Sequence, residues 1–417
     1  MENIYDVAII GGGASGMMAA ISASQNGAKV VLIEKNNTLG KKLLLTGDGR
    51  CNITNENLSK RETVKLLGKQ GDFLLSALSQ FGFKETKDFF ESHGLKLVFQ
   101  ENGKMFPITQ KSKDVLGLLI QQLKKNNVKV LVNSEVFEIK RKGRLIEKIN
   151  LNNGKEIIAK NYILTTGGKS YPVTGSTGDG FIFSKSLGHT IDELRPALCP
   201  IQVKEVWVKE LSGLSLADVG LKALSDNKTI KKWRGDILFA HFGLTGPLIL
   251  DTSREIGELM KENNITLAVD LFPDKSLEIL EIQISKLIDD NRNSSIKKII
   301  SSLVPQKLTD YILSFSKVKP DKKGNNILKQ ERTKIVSILK NITLHPVGLL
   351  GFDRSMVTSG GVSLKEIDSK TMKSKLIDNL FFAGEIIDLD GPCGGYNLQI
   401  SWTTGYVAGN SALENCS

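Results

Sequence analysis

The chain has 417 residues, 40% of them hydrophobic and 24% charged, which is ordinary for a soluble globular protein and too long for one simple core, so two or three domains are expected. Its formal net charge of +11 is nearly all lysine excess; it would attract any polyanion, whether nucleic acid, anionic lipid or a phosphorylated cofactor, and a general lysine bias would give the same number. Four scattered cysteines, Cys51, Cys199, Cys393 and Cys416, argue against a disulfide framework or a zinc site and for a reducing cytoplasm. No apolar run has the length of a membrane span, and no basic, cleavable leader precedes the first strand, so neither a membrane anchor nor a signal peptide is expected.

Residues 4–34 read as strand (IYDVAII), glycine turn (GGGASG), helix and strand (KVVLIE), a βαβ unit of a parallel sheet. Residues 73–98 read as helix, and DVLGLLIQQLKKN (114–126) as an amphipathic helix leading into the strand VKVLVN. A pair of alternating strands around 135–158 and an apolar strand from Asn161 to Thr165 complete a doubly wound α/β half. From about Arg195 the texture changes: 197–272 carries short alternating stretches, PIQVKE, LADVGLKAL, TIKKWRGDILFA and ITLAVDLF, that predict a small β-rich body. Residues 276–340 read as helices (LEILEIQISKLIDD, SIKKIISSLV, KLTDYILSF) ending in a lysine-rich polar stretch. After Gly351 the strand-and-glycine texture returns. The simplest organisation is a discontinuous dinucleotide-binding domain, 1–194 and 356–417, interrupted by a β-rich body, 195–275 and 341–355, and a helical subdomain, 276–340.

Gly11, Gly13 and Gly16 form GxGxxG between the first strand and helix, and Glu34 ends the second strand. This is the dinucleotide fingerprint: glycines for a tight turn, close approach of a pyrophosphate and helix packing, a helix N-terminus for phosphate, and a carboxylate for the ribose hydroxyls. FAD and NAD share it. Four downstream segments favour FAD: the loop GKKLLLTGDGRCNITN (40–55), with Lys41, Lys42, Arg50 and Asn52, suited to wrap a pyrophosphate and ribityl chain; the turn Thr165-Thr166-Gly167-Gly168; a strand ending in Gly384-Glu385; and Gly394-Gly395-Tyr396-Asn397 opening a last helix. A second GxGxxG is absent, so one dinucleotide is held permanently and NADH or NADPH would visit as a transient reductant.

Together, GGGASG, GKKLLLTGDGRCNITN, TGGKSYPVTGSTGDGF, HFGLTGP, TSGGV and AGEIIDLDGPCGGYNLQ resemble the BaiN/YhiN-type flavoprotein family, also labelled aminoacetone-oxidase-family or NAD(P)/FAD-dependent oxidoreductases, over nearly the whole chain. The resemblance implies a glutathione-reductase-like FAD-binding Rossmann domain, α/β and discontinuous, with an inserted β-barrel and helical domain. It implies that Val136 meets the adenine end through its backbone, and the matching motifs extend the cofactor-binding set to Ala14, Ser15, Lys35, Thr46, Gly47, Gly49, Cys51, Gly361 and Leu398. One departure is Asp48, where TGGGRCN would place glycine.

Family members are associated with reducing a conjugated C=C bond in steroid-like substrates, with oxidising amines, and with reducing uracil to dihydrouridine in 23S ribosomal RNA. The first and third share one chemistry, hydride from reduced flavin to an electron-poor carbon and a proton to its neighbour. Cys393 in DGPCGGYN is the first candidate proton donor, with Tyr396, Asp390 and His241 of AHFGLTGP as others; each equally fits a packing or backbone-satisfying role. His93, His189 and His345 show no metal spacing, so no metal is expected. Lys228, Lys231, Lys232 and Arg234 around Trp233, and the 317–334 cluster with Lys322 and Lys323, would form an RNA-facing surface or an ordinary solvated lysine face. The expected activity is therefore an FAD-dependent, NAD(P)H-driven reductase of uracil in ribosomal RNA, in a cytoplasmic monomer. The alternatives are a small-molecule enone reductase or amine oxidase, and a flavin-bearing RNA-binding factor without turnover.

Overall fold

The computed structural model describes residues 4–56, 60–100 and 103–414. The chain opens with β1 (Tyr5–Ile10), α1 (Ala14–Gln25) and β2 (Val30–Ile33). Next come β3 (Thr54–Asn55), α2 (Lys60–Leu67), α3 (Lys69–Gln80), α4 (Phe83–Ser92), β4 (Leu97–Phe99), β5 (Lys104–Pro107), α5 (Ser112–Lys125) and β6 (Lys129–Leu131). A meander of β7 (Val136–Lys142), β8 (Leu145–Leu151) and β9 (Glu156–Ile157) leads to β10 (Ala159–Leu164), α6 (Asp179–Ser186) and β11 (Arg195–Ala197). The middle holds β12 (Ile201–Val203), β13 (Ser215–Ser225), β14 (Lys228–Ala240), β15 (Gly243–Thr245), α7 (Pro247–Glu262) and β16 (Ile265–Asp270). It continues through α8 (Leu277–Asp290), α9 (Ile296–Ser301), α10 (Gln306–Ser316), α11 (Lys329–Lys340), β17 (Ile342–Leu344) and β18 (Pro346–Leu349). The last elements are β19 (Val357–Ser359), β20 (Leu380–Phe382) and α12 (Tyr396–Glu414). Two compact units result, Met1–Ala197 with Phe352–Ser417, and Leu198–Gly351.

The first unit is built on a parallel sheet in the order β20-β10-β1-β2-β6. Its central strands are apolar on both faces: Val7 to Ile10, Val30 to Ile33 and Tyr162 to Leu164 are all buried, as helix-covered parallel strands require. α1 and α12 cross on small residues. A Cβ on Gly405 would lie 2.4 Å from Ser15 O, and one on Gly409 2.4 Å from Ala19 O, so only glycine lets the helices come this close.

The second unit is a seven-stranded antiparallel sheet, order β17-β16-β13-β14-β15-β12-β18. Its two outermost strands, β17 and β18, are successive segments separated by His345 alone, so the sheet curls back on itself in the manner of a barrel. β13 and β14 meet in the two-residue turn Asp226-Asn227, both at positive φ (49° and 61°), the conformation that continues strand twist through a hairpin.

Four local expectations need correcting. The 73–98 segment is two helices and a strand, because Gly82 interrupts it: its N–H donates to Glu85 Oε2 at 2.9 Å to start α4. LADVGLKAL and TIKKWRGDILFA are parts of two long paired strands rather than short pieces. α7 was not expected in the β-rich stretch; Gly246 at φ 95° and Pro247 open it, and Leu248, Ile249, Thr252, Ser253 and Ile256 make its buried face. The polar stretch after 317 includes α11, which buries Ile335, Val336 and Leu339. Among the described residues no helix is long and apolar enough to cross a membrane.

Candidate active site

β1 runs into Gly11-Gly12-Gly13 and α1 begins at Ala14. Gly11 sits at φ 109°, and a Cβ there would lie 2.5 Å from Thr165 O; a Cβ on Gly16 would lie 1.9 Å from Gly11 O. Backbone closes both positions to any side chain. Gly13 differs, since nothing lies within 4 Å of a Cβ there, and its missing side chain leaves open space before the helix. No side chain caps α1, so its first N–H groups and positive end are available to an anion.

Glu34 is buried at the end of β2. Its Oε2 accepts the Gly12 N–H, and its Oε1 accepts the backbone N–H and the side-chain amide of Asn36, each at 2.8 Å. Three donors on a carboxylate with about four acceptor sites leave one for a ribose hydroxyl. Lys35 pairs with Asp179 and Thr177, and Asn36 Nδ2 donates to Thr174 O at 3.0 Å; these bonds fasten the 174–179 loop to the end of β2.

These groups border a cleft of about 1190 Å³, open mouth included. In its wall Lys42 Nζ donates to Glu385 Oε2 at 2.7 Å, Glu385 Oε1 accepts the Thr358 N–H at 2.8 Å, and Thr358 Oγ1 accepts the Lys169 N–H at 2.8 Å. Four separate glycine-punctuated segments are thereby joined. Gly168 permits it, because a Cβ there would stand 2.3 Å from Thr358 Oγ1.

In the 46–52 loop Gly47, Asp48, Gly49 and Cys51 all have positive φ, at 57°, 54°, 81° and 63°. Asp48 thus holds the left-handed position a glycine would take, one that aspartate tolerates better than most residues. Cys51 is fully buried, and burial pushes its thiol up to about 12, which suits packing and not reaction. Arg50 lies over the Phe106 ring at 4.7 Å with its Nε donating to Gly47 O at 3.1 Å, and Asn52 Oδ1 accepts the Met105 N–H at 3.2 Å. Both hold the loop together. At the other end, Asn397 closes the GPCGGY loop: its Oδ1 accepts the Gly391 N–H at 2.8 Å, and its Nδ2 donates to Gly391 O at 2.7 Å and Pro392 O at 3.3 Å.

Of the residues expected to hold the dinucleotide, Gly11, Gly13, Ala14, Ser15, Glu34, Lys35, Lys42, Thr46, Val136, Thr166, Gly167, Glu385, Asn397 and Leu398 line the cleft. Gly16, Gly47, Gly49, Arg50, Cys51, Asn52, Gly168, Gly361, Gly384, Gly395 and Tyr396 are not in its lining. Several of these shape the walls from behind; a Cβ on Gly384 would lie 2.4 Å from Ser15 Oγ, and one on Gly361 2.6 Å from Ile386 O. Sequence reasoning missed Asn36, Ser134, Gly175, Ser176, Asp179, Phe183 and Met356, which also line it. The run GSTGDG was the available signal, since closely spaced glycines beside a polar helix start mark a backbone that approaches something. The residues fit a dinucleotide: the open space at Gly13, the uncapped α1, and Thr166 Oγ1, buried with no protein partner.

Cys393 is half-buried in the loop before α12, and Tyr396, also half-buried, is the first residue of α12. His241 belongs to the second unit, on the exposed turn between β14 and β15 with its ring against Phe242 at 4.9 Å. The expected basic surface is neutralised in part. Arg234 is held by Asp218 and Asp274, Lys231 by Glu255 at 2.6 Å and Lys322 by Glu331 at 2.7 Å, while Lys232 and Lys323 are exposed. Nor is the charge concentrated in the insertion: residues 198–351 carry 23 Lys and Arg against 18 Asp and Glu, a net +5 of the +11.

The HI0933-like protein Rossmann domain family matches residues 5–411. The chain belongs to that family. A 3-dehydro-bile acid delta(4,6)-reductase of Clostridium scindens is 31% identical over 413 residues, 98% of this chain and 99% of that one. A ribosomal RNA dihydrouridine synthase of Escherichia coli is 28% identical over 411 residues, 98% of each chain. Among solved structures, the 3-ketosteroid-delta4-(5alpha)-dehydrogenase of Rhodococcus jostii RHA1 shares the fold with a TM-score of 0.54 over 99% of this chain and 97% of that one, at 15% identity. The protein is an FAD-dependent oxidoreductase of the HI0933-like family, with an FAD-binding Rossmann domain.

Proposed function

We propose that the protein is an NAD(P)H-driven reductase that adds hydride and a proton across a conjugated C=C bond, and that its substrate is a uracil of 23S ribosomal RNA. The observation that carries this reading is that full-length relatives with very different substrates are named for one kind of chemistry, one as a delta(4,6)-reductase and two as makers of dihydrouridine. The net charge of +11 supports a polyanionic substrate.

When bound, reduced FAD supplies the hydride. The chain's own groups do the rest. Gly13, the α1 N-terminus and Glu34 hold the dinucleotide's phosphates and ribose. Asn397, Leu398 and Ser401 bring the first turns of the 19-residue α12 to the cleft, and that helix's positive end favours negative charge on the reduced ring. Cys393 is the proposed proton donor to the neighbouring carbon, presented by the loop that Asn397 clamps, with Tyr396 as the other candidate on this unit. The test is mass spectrometry of ribosomal RNA nucleosides from cells with and without the protein. Dihydrouridine should be missing in its absence and restored by the wild-type chain; unchanged dihydrouridine would end the RNA assignment.

A second reading, a small-molecule enone reductase, is favoured by the paired state of Arg234, Lys231 and Lys322 and by the even spread of charge. It predicts NAD(P)H consumption with an enone at full rate without RNA.

A further inference from the structure

Trp207, Tyr311 and Phe315 form a cluster of rings in the second unit. Ring centroids are 4.2 Å apart for Trp207 and Tyr311, 4.3 Å for Tyr311 and Phe315, and 5.7 Å for Trp207 and Phe315. Tyr311 and Phe315 are four residues apart on α10, so they share a helix face, and the Val206–Lys209 turn lays Trp207 against them. Trp207 and Tyr311 pack on the unit's apolar core. Phe315 remains 51% exposed and Val206 72%. Core packing accounts for the first two rings and leaves the third unexplained.

Three lysines and three acids flank the rings, and two of the acids already have partners. Lys307 precedes Tyr311 by four residues on the same face and donates to Ser212 O at 3.1 Å. Lys209, beside Trp207, and Lys317, directly after α10, are exposed and have no ion-pair partner among the described residues. Of the nearby acids, Glu205 is held by His345 at 2.6 Å and Asp310 by Lys297 at 2.7 Å, and Glu210 is exposed. This contrasts with the 228–234 stretch, whose Lys231 and Arg234 are taken up by carboxylates.

We propose that this ring cluster and its lysines are a contact surface for single-stranded RNA, with bases stacking on Phe315 and Trp207 and phosphates meeting Lys209, Lys307 and Lys317. Any base has a π face to offer, and lysines track a backbone without reading sequence. The surface rests on the RNA reading of the function and adds where, on the second unit, the chain grips its substrate.

The test titrates full-length holoenzyme into a fluorescein-labelled single-stranded oligouridylate, followed by anisotropy, with heparin as a polyanion that has no bases. Phe315→Leu, which keeps an apolar side chain and removes the ring, should weaken oligouridylate binding roughly ten-fold and leave heparin binding unchanged. Lys209→Gln with Lys317→Gln should weaken both and lower the salt slope for the oligouridylate by about 1.4. Thermal melting of each variant checks that it is folded. Wild-type-like RNA binding by Phe315→Leu overturns the surface, whether the rings are then left bare or covered by a protein. So does equal loss of RNA and heparin binding. The two proposals separate cleanly: tight, ring-dependent binding with ribosomal dihydrouridine unchanged by loss of the protein leaves the surface and removes the function, and the reverse pattern leaves the function and removes the surface.

Discussion

Replacing Gly405 by alanine tests how the cleft is assembled. The new Cβ would stand 2.4 Å from Ser15 O and 3.1 Å from Ser15 Cα. Both are backbone atoms of α1, so no side chain can swing away, and the helices must part by about 1 Å to restore ordinary contact. Overpacking of this kind costs about 1–3 kcal/mol, and the better helix propensity of alanine returns about 1 kcal/mol. A net loss of about 1 kcal/mol in stability is expected. The functional loss should be larger, because Ser15 lines the cleft and lies in the first turn of the helix proposed to meet the phosphates; a roughly ten-fold weaker FAD affinity is the expectation. Gly117→Ala is the matched control. It lies exposed within α5 with nothing near a Cβ, so alanine there should stabilise by about 0.5–1 kcal/mol and leave FAD affinity alone. Thermal unfolding with and without FAD, and flavin-fluorescence titration of the apoprotein, read both quantities. If Gly405→Ala matches the wild type in both, or Gly117→Ala loses as much, the close-packing argument is wrong.

The partly buried Lys42 and Glu385 pair should behave as a coupled unit: Lys42→Met strands the carboxylate and should cost more FAD affinity than the double variant with Glu385→Gln, with a coupling of about 1–2 kcal/mol in a double-mutant cycle. His189 predicts a pH dependence. Ser374 Oγ accepts the Leu376 and Ile377 N–H groups at 3.0 and 2.9 Å, so its own hydrogen goes to His189 Nε2 at 2.8 Å, leaving a neutral ring with a buried, unpartnered Nδ1. Burial depresses this imidazole below its ordinary value of about 6.5, with Glu366 opposing. The unfolded chain therefore takes up the proton first as pH falls, and stability present above about pH 6.5 is lost below it; His189→Gln should melt with a shallower slope between about pH 7 and 5, and equal slopes would refute this. Finally, alkylation of the native protein should modify half-buried Cys393 well before Cys51 and Cys199, whose thiols burial pushes up to about 12 and 11. Peptide mapping would detect the opposite order.

The cleft was legible where sequence spacing itself sets the backbone. Gly11, Gly13, Gly16 and Glu34 lie within one βαβ unit, so local periodicity places them. The groups that complete the cleft come from afar. Asn36 acts through Thr174, and Lys35 through Asp179, and no periodicity connects residues so distant in the chain. Arg50 and Asn52 have the chemistry of phosphate ligands, and their partners within the protein are Gly47, Phe106 and Met105; composition names what a side chain can bind, and only the folded loop shows its neighbours. The same holds for Arg234, whose two carboxylates sit 16 and 40 residues away. In the fold, α7 was hidden because its short buried face lies among alternating strands, and a Gly-Pro start reads as a turn as readily as a helix opening.

The most direct measurement of the central claim is anaerobic stopped-flow of the FAD-loaded protein, reduced with NADPH or NADH and then mixed in separate runs with ribosomal RNA lacking dihydrouridine, an enone and an amine. The account predicts rapid flavin reoxidation by the RNA, with dihydrouridine formed in proportion to the flavin oxidised. Reoxidation by the small molecules alone, with the RNA inert, would contradict it.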